Sequence, residues 1–281
     1  MIQLKAYSKI NLGLEILRKR KDGFHELNTV FMRTCLADTL TFSEDKDITV
    51  QTEPDLDIPM TENLVFKAAA LLKNEFPDTP GAKILLKKSI PSGAGMGGGS
   101  SDAATALLGL SELWRIKPDH EKLYNICTEL GSDVPYFLKE GTAHARSRGE
   151  ILTYFNFEIP WWLLLIKPNI SISTKWAYEN LNMGSFQRTP SDLKESLLQS
   201  IKDPYILKNK ITNDFEDVVF SRYPQLKQIK EKMYESGAII SLLSGSGSTV
   251  FGFFPSASSC KTVIRHCNKC FSHICRPKEI K

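Results

Sequence analysis

Between Gly93 and Gly99 five of seven residues are glycine, in "SIPSGAGMGGGSSDAATALLGL" (residues 89–110), and the stretch runs straight into alanines and leucines spaced for a helix. Glycine loses more backbone freedom on folding than any other residue, so a run of it is kept where the chain bends sharply or lets something approach its backbone. A slack linker does not lead directly into a capped, apolar-striped helix. A dinucleotide-binding turn matches Gly93, Gly95 and Gly98 literally, but that turn closes the first strand of a doubly wound unit, with an acid about 20 residues further on. Here a long stretch of mixed β pattern comes first, and Glu112 and Asp119 lie in or beside helices. A Walker loop needs lysine directly before Ser100, where this chain has glycine. What remains is an anion cradle: bare amides lead to a helix start, whose first N–H groups lack partners and carry roughly half a positive charge. Ser100 and Ser101 add hydroxyls for phosphate oxygens or Mg²⁺.

The pattern around the loop is mixed. "KINLGLEIL" alternates, with Ile10, Leu12, Leu14 and Ile16 on one face, which predicts a half-buried strand. "LNTVFMR", "DTLTFS" and "DITVQ" continue as short β segments and predict an antiparallel meander, with Asp22-Gly23 as its first turn. Helices are expected in "TENLVFKAAALLKNEF", capped by Thr61, in "SDAATALLGLSELW", and in "DHEKLYNICTELG", which ends at Gly131, a position for a left-handed residue. The texture changes near Asn156–Pro160, and a strand follows from Trp161. Helical patterns then cover "STKWAYENL", "SDLKESLLQSI" and "YPQLKQIKEKMYESG". "AIISLLSGSGSTVFGFF" reads as two strands about a glycine-serine turn, "SASSCKTVIRHC" as a last helix and "FSHIC" as a last strand. Strands and helices without a strict βαβ rhythm predict an α+β protein of two domains, 1–155 and 156–281.

Composition narrows the class. With 281 residues, 42% hydrophobic and 24% charged, the chain is an ordinary globular one with room for two cores. Its net charge of +4 is dispersed, and the densest basic cluster, Arg18–Lys21, reads as a solvated turn without interleaved aromatics, so no nucleic-acid partner is expected. The most apolar run, "IPWWLLLIKPNI", is too short to span a bilayer, and the N-terminus alternates instead of forming an apolar block. No membrane role and a cytoplasmic location are therefore expected. The six cysteines read as reduced thiols, and the C-x-x-C pair Cys267 and Cys270, with His266, His273 and Cys275 nearby, reads as partly buried thiols more than as a zinc site.

"PSGAGMGGGSSDAA" (Pro91 to Ala104) resembles the ATP-binding signature of the GHMP kinases. "AYSKINLGLEI", "DGFHEL", "LGSDVPYFL" and "SGSGSTVF" resemble the branch of that family acting on a cytidylylated methylerythritol. The resemblance implies a two-domain fold with a ligand cleft between the domains, ATP and Mg²⁺, and phosphorylation of the substrate's 2-hydroxyl. A homoserine- or mevalonate-type kinase, or a non-catalytic sensor of the same superfamily, is the alternative. It implies Asp133 as the base taking the hydroxyl proton and Lys9 as the cation beside it. It gives ATP to Pro91, Ser92, Gly93, Ala94, Gly95, Met96, Gly97, Gly98, Gly99, Ser100 and Ser101, with Asn63 near the adenine. It gives the substrate to Asn11, Phe24, His25, Thr174, Tyr178, Gly245 and Gly247. Phe24 stands where the family more often has tyrosine, and Asp102, an acid beside bound phosphate, has no assigned role. Metal ligands and the choice between monomer and homodimer stay open.

Overall fold

The computed structural model describes residues 1–181 and 188–276. Contacts separate two compact units that interleave along the chain: one holds Met1–Ser8, Leu36–Ser92 and Gly97–Glu140, and the other Lys9–Cys35, Gly93–Met96 and the chain from Gly141 on. Strands β1 (Ile2–Lys19) and β2 (His25–Asp45) contribute residues to both.

The first unit adds β3 (Ile48–Glu53), α1 (Leu64–Glu75), β4 (Gly81–Lys87), α2 (Gly98–Leu113) and α3 (His120–Leu130). Thr39–Asp45 of β2 pairs antiparallel with β4, and β4 pairs parallel with β3, from Ile48 opposite Ala82 to Glu53 opposite Lys87. The expected antiparallel meander is thus corrected at β3. A parallel pair needs a long crossover, and α1 supplies it. The two short segments read within residues 25–45 are one continuous strand of 21 residues. Val65, Ala68, Ala69 and Leu72 form the buried stripe of α1. Its cap is Asn63, whose Oδ1 accepts from the Val65 N–H at 2.9 Å, and not Thr61 two residues earlier. Helix α2 lies close on the sheet because Gly109 has no side chain: a Cβ there would stand 2.4 Å from the Phe42 ring. Gly131 after α3 is extended, with φ 160°, and not left-handed as expected.

The second unit adds β5 (Thr142–Ser147), β6 (Ile151–Phe155), β7 (Trp162–Lys167), α4 (Thr174–Glu179), α5 (Leu193–Ser200), α6 (Tyr205–Lys210), α7 (Glu216–Arg222), α8 (Pro224–Glu235), β8 (Ile240–Leu243), β9 (Val250–Phe254), α9 (Ala257–His266) and β10 (Phe271–Cys275). Leu27–Phe31 of β2 pairs antiparallel with β5, and β5 with β6. A second, four-stranded antiparallel sheet has the order β10-β7-β9-β8. Leu164, Ile166, Val250 and Phe254 of this sheet share one core with Phe215, Val219, Leu226, Met233 and Val263 of the helices, and with Leu14 and Ile16 of β1. Helices α6 and α7 carry one buried residue each, which is why no apolar stripe announces them. No helix among the described residues is long and apolar enough to cross a membrane.

The cysteines differ from expectation in one pair. Cys35, inside β2, and Cys275 at the end of β10 are joined as a disulfide, with Cα atoms 6.2 Å apart and a sequence separation of 240. Cys127 and Cys260 are buried free thiols, and Cys267 and Cys270 are half-buried ones. Among the described residues the group with metal-ligand proximity is Cys35, His273 and Cys275, so the C-x-x-C pair and His266 do not converge on it. Strand β10 carries His273 and Cys275 on one face, two residues apart, while Cys267 ends α9.

Candidate active site

In the first unit the glycine run ends as the start of α2. Gly97 is its N-cap in the left-handed region (φ 66°, ψ 21°), and the helix begins at Gly98, ahead of the serines. The Gly97 carbonyl accepts the first bond of the helix, from the Ser101 N–H at 2.9 Å. The amides of Gly98, Gly99 and Ser100 therefore belong to the first turn, which has no partners within the helix. No acidic side chain lies in that turn.

Asp102, whose role the sequence left open, neither caps the helix nor faces solvent. Its Oδ2 accepts from Lys88 Nζ at 2.7 Å, and the same ammonium donates to Asp38 Oδ2. Asp38 also accepts from the backbone N–H groups of Ser89 and Ile90. All three side chains are buried. Burial pushes the Asp102 carboxyl up to about 7, against the pull of Lys88 and helped by the repulsion of Asp38. Burial works against the Lys88 ammonium, but Asp102 and Asp38 outweigh it and hold its pKa above the ordinary value. Sequence reading passed over Lys88 and Asp38. One signal was available: Leu36, Asp38, Leu40 and Phe42 alternate inward along β2, which puts an acid at a core position.

Asn63, given to the adenine by resemblance, is buried at the start of α1, and its side-chain oxygen serves the helix as cap. Asp133 stands immediately before a short 3-10 turn, Val134–Leu138, with φ −84° and ψ −17°. Its side chain makes no capping bond to that turn.

In the second unit Lys9 and Asn11 project from the same face of β1, two residues apart. Both are buried. Lys9 Nζ donates to Asn11 Oδ1 at 2.8 Å and lies 4.7 Å from the centre of the Phe31 ring. Asn11 Nδ2 donates to Thr29 Oγ1 at 2.9 Å, and that hydroxyl donates to the Gly13 carbonyl at 2.6 Å. The chain fixes the orientation of the Asn11 amide from both ends, which holds its oxygen toward the lysine.

The first half of the glycine run belongs to this unit. The Met96 carbonyl accepts from the Lys9 N–H, the Ala94 carbonyl from the Thr249 N–H, and the Gly95 carbonyl from the Ser244 hydroxyl at 2.9 Å. Gly245 (φ 56°) and Gly247 (φ 89°) form the turn between β8 and β9, and a Cβ on Gly245 would stand 3.4 Å from the Gly95 oxygen and 3.5 Å from Asn11 Oδ1. Asn213 donates to the carbonyls of Leu243 and Gly245, both at 2.8 Å, and so holds the turn from beneath.

His25 and Tyr178 meet face to face, with ring centres 4.6 Å apart and planes 14° from parallel. Tyr178 also presents an edge-on contact to Phe215 at 4.9 Å and packs against the core of the unit. Burial, and then the nearby charge of Lys19, lower the His25 pKa and favour its neutral form. Phe24 is half exposed, with the Arg148 guanidinium 4.8 Å from its ring centre. Thr174 opens α4 and shares a 3.0 Å hydrogen bond with the Ser246 hydroxyl in the glycine turn.

Comparison with known proteins adds three findings. Models for the GHMP kinases N terminal domain and the GHMP kinases C terminal match residues 63–141 and 193–273. The 4-diphosphocytidyl-2-C-methyl-D-erythritol kinase of Thermodesulfovibrio yellowstonii is 38% identical over 269 residues, 94% of each chain. That of Chlorobium phaeobacteroides is 42% identical over 258 residues, covering 90% of this chain and 86% of the relative. A crystal structure of 4-(cytidine 5'-diphospho)-2C-methyl-D-erythritol kinase superposes with a TM-score of 0.83 at 31% identity, covering 97% of this chain and 98% of that one.

Proposed function

Since the chain belongs to the GHMP kinases, and within them to the family of the 4-diphosphocytidyl-2-C-methyl-D-erythritol kinases, we infer its reaction from theirs. It is an ATP-dependent phosphotransferase with an alcohol acceptor, and it phosphorylates the 2-hydroxyl of 4-diphosphocytidyl-2-C-methyl-D-erythritol in non-mevalonate isoprenoid biosynthesis. The observation that carries this reading is the likeness of the relatives over nearly the whole chain, with the two family models spanning both glycine segments.

The roles of single residues are our proposal. Phosphoryl transfer asks for a fixed nucleotide, an in-line hydroxyl and compensation of charge on the transferred group. The first-turn amides of Gly98, Gly99 and Ser100, which have no partner within the helix, suit the phosphates of ATP, and the left-handed Gly97 lets backbone meet them without a Cβ between. Ser100 and Ser101 supply hard oxygen donors of the kind Mg²⁺ takes, and that ion when bound would neutralise charge on the phosphates. Asp133 accepts the proton of the attacking hydroxyl. Lys9, oriented by Asn11 and set over Phe31, stabilises charge on the transferring group. The cytosine contacts His25, Tyr178 and Phe24, and Thr174 with the turn at Gly245 and Gly247 receives the polar remainder of the substrate. Residues 1–155 would then carry the ATP functions and 156–281 most of the substrate contacts. We propose a cytoplasmic enzyme with no nucleic-acid or membrane partner, as a monomer or homodimer.

The test is ADP release with the cytidylylated methylerythritol beside homoserine and mevalonate. Turnover confined to the first is expected, and turnover with either of the others would move the protein to a sister activity. Asp133→Asn and Lys9→Ala should each lower kcat on the order of 10²-fold or more in a folded enzyme. A variant keeping half the wild-type turnover would lose its place in the mechanism.

A further inference from the structure

We propose that the reduced chain binds a zinc ion through Cys35 Sγ, Cys275 Sγ and His273 Nε2, and that the Cys35–Cys275 disulfide is the oxidised, metal-free form of that site. All three residues belong to the second unit, and none has a part in the reaction proposed above. Cys35 stands in β2, between the stretch paired with β5 and the stretch paired with β4. His273 and Cys275 come from β10, at the edge of the four-stranded sheet, where residues two apart share a face. The ligand atoms of the three all lie within 4.8 Å of one another, and His273 Nε2 is 3.5 Å from Cys35 Sγ. Tetrahedral zinc takes thiolate at about 2.3 Å and imidazole at about 2.0 Å, which sets a sulfur and a nitrogen ligand about 3.5 Å apart. The imidazole is therefore already placed. Only the two sulfurs have to part, to about 3.8 Å in the same geometry. With Cα atoms 6.2 Å apart, rotation about χ1 supplies that separation.

The donor chemistry selects the ion. Two thiolates and an imidazole suit zinc, whereas magnesium asks for oxygen ligands. Two thiolates also cancel both charges of Zn²⁺, so the complex is neutral, with a water molecule completing four-coordination. Neutrality suits the place, because Cys275 is buried and Cys35 and His273 are half-buried. Cys267 and Cys270 lie outside the group and stay free thiols. The exchange of disulfide for metal needs two electrons, which a dithiol reductant supplies. One of its thiolates attacks a sulfur of the Cys35–Cys275 bond, its second resolves the mixed disulfide, and the reductant leaves as a disulfide. Its two protons pass to Cys35 and Cys275. Zinc then displaces those protons to solvent and takes the lone pair of the neutral His273 ring. In the cytoplasm proposed for the enzyme thiols are kept reduced, so the metal-bound form is the resting one. In either form the site ties the end of β10 to β2.

The test uses the full chain, reduced with a phosphine, stripped of metal by a chelator and titrated with Co²⁺, which reports thiolate ligation by a charge-transfer band in the near ultraviolet. Reduced wild type should bind a single equivalent of Co²⁺, and Zn²⁺ should bleach the band by displacing it. Oxidised wild type should give no band. His273→Ala should raise the Kd for Zn²⁺ at least about 100-fold, the upper end of what loss of even an outer-shell partner costs. Cys35→Ser should lose most of the band, and the double variant Cys267→Ser, Cys270→Ser should bind as wild type does. The Tm of reduced protein should rise with Zn²⁺, and that of oxidised protein should not move. A band that is absent from reduced wild type, equal in oxidised protein, or lost with Cys267 and Cys270 overturns the proposal. If Cys35→Ser does not fold, X-ray absorption at the zinc edge of the Cys267→Ser, Cys270→Ser protein decides. Two sulfurs around the ion support the site, and fewer overturn it.

Discussion

A methyl group added at Gly95 would lie 2.2 Å from the Ser244 carbonyl oxygen and 2.8 Å from that of Gly247, whereas one added at Gly98 would meet the Ile90 side chain at 3.0 Å and the end of Lys88 at 3.4 Å. The two glycines stand three residues apart in one run, but backbone that cannot move confronts the first, and side chains that can shift confront the second. Gly95 also needs φ 72°, a region other residues avoid. The first half of the run is glycine because the chain packs against its own β8–β9 turn. The second half begins a helix whose first amides have no partner within it, and on the proposed function a small residue there keeps room for ATP. A glycine-rich motif is thus two requirements written in one letter.

The strongest way to break this contrast is Gly95→Ala. Backbone clash and a strained φ together should cost on the order of 3 kcal/mol or more. The folded protein should be largely lost, read as insoluble expression or a collapse of Tm. An unchanged Tm would show that the first half of the run is not a packing device. Gly98→Val should behave in the opposite way. The variant should stay folded, with Tm lowered by a few degrees, while Kd for ATP rises at least tenfold, about 1.4 kcal/mol. Unchanged ATP affinity in folded protein would remove the second half from the nucleotide site.

Tyr178 joins both requirements in one side chain, since it stacks on His25 and packs edge-on to Phe215. Tyr178→Ala should raise KM for the cytidylylated substrate by an amount worth about 1–3 kcal/mol, leave KM for ATP nearly unchanged, and also lower Tm. If Tm alone fell, the ring would serve the core only. The smallest effect belongs to His25. Its folded pKa lies below the unfolded value, so the stability tied to its neutral form is complete above about pH 6.5 and is lost as pH falls through the folded pKa. Substrate KM measured from pH 7.5 down to 5.5 should rise over the same window. A flat profile would mean that the charge on this ring does not matter to the base it is proposed to contact.

The sequence by itself determined what neighbouring residues decide. The glycine run leading into α2, the alternation of β1, the hairpin about Gly245 and Gly247, and the presence of helices α1 and α8 follow from periodicity and turn chemistry over a few positions. The family likeness, read from five short motifs, reached the activity as well. Tertiary structure alone decided who pairs with whom. Nothing local in "LADTL" says that Asp38 will meet Lys88 fifty residues later, or that the acid after Ser101 will share the same ammonium. Cys35 finds Cys275 across 240 residues, and β3 lies parallel to β4 because α1 carries the chain back. The two units also interleave along the chain, with β1 and β2 contributing residues to both. The physical reason is common to all of these. A buried charge or thiol must be satisfied by some partner, but which partner depends on where packed strands and helices bring distant segments, and that position is encoded only in the whole core.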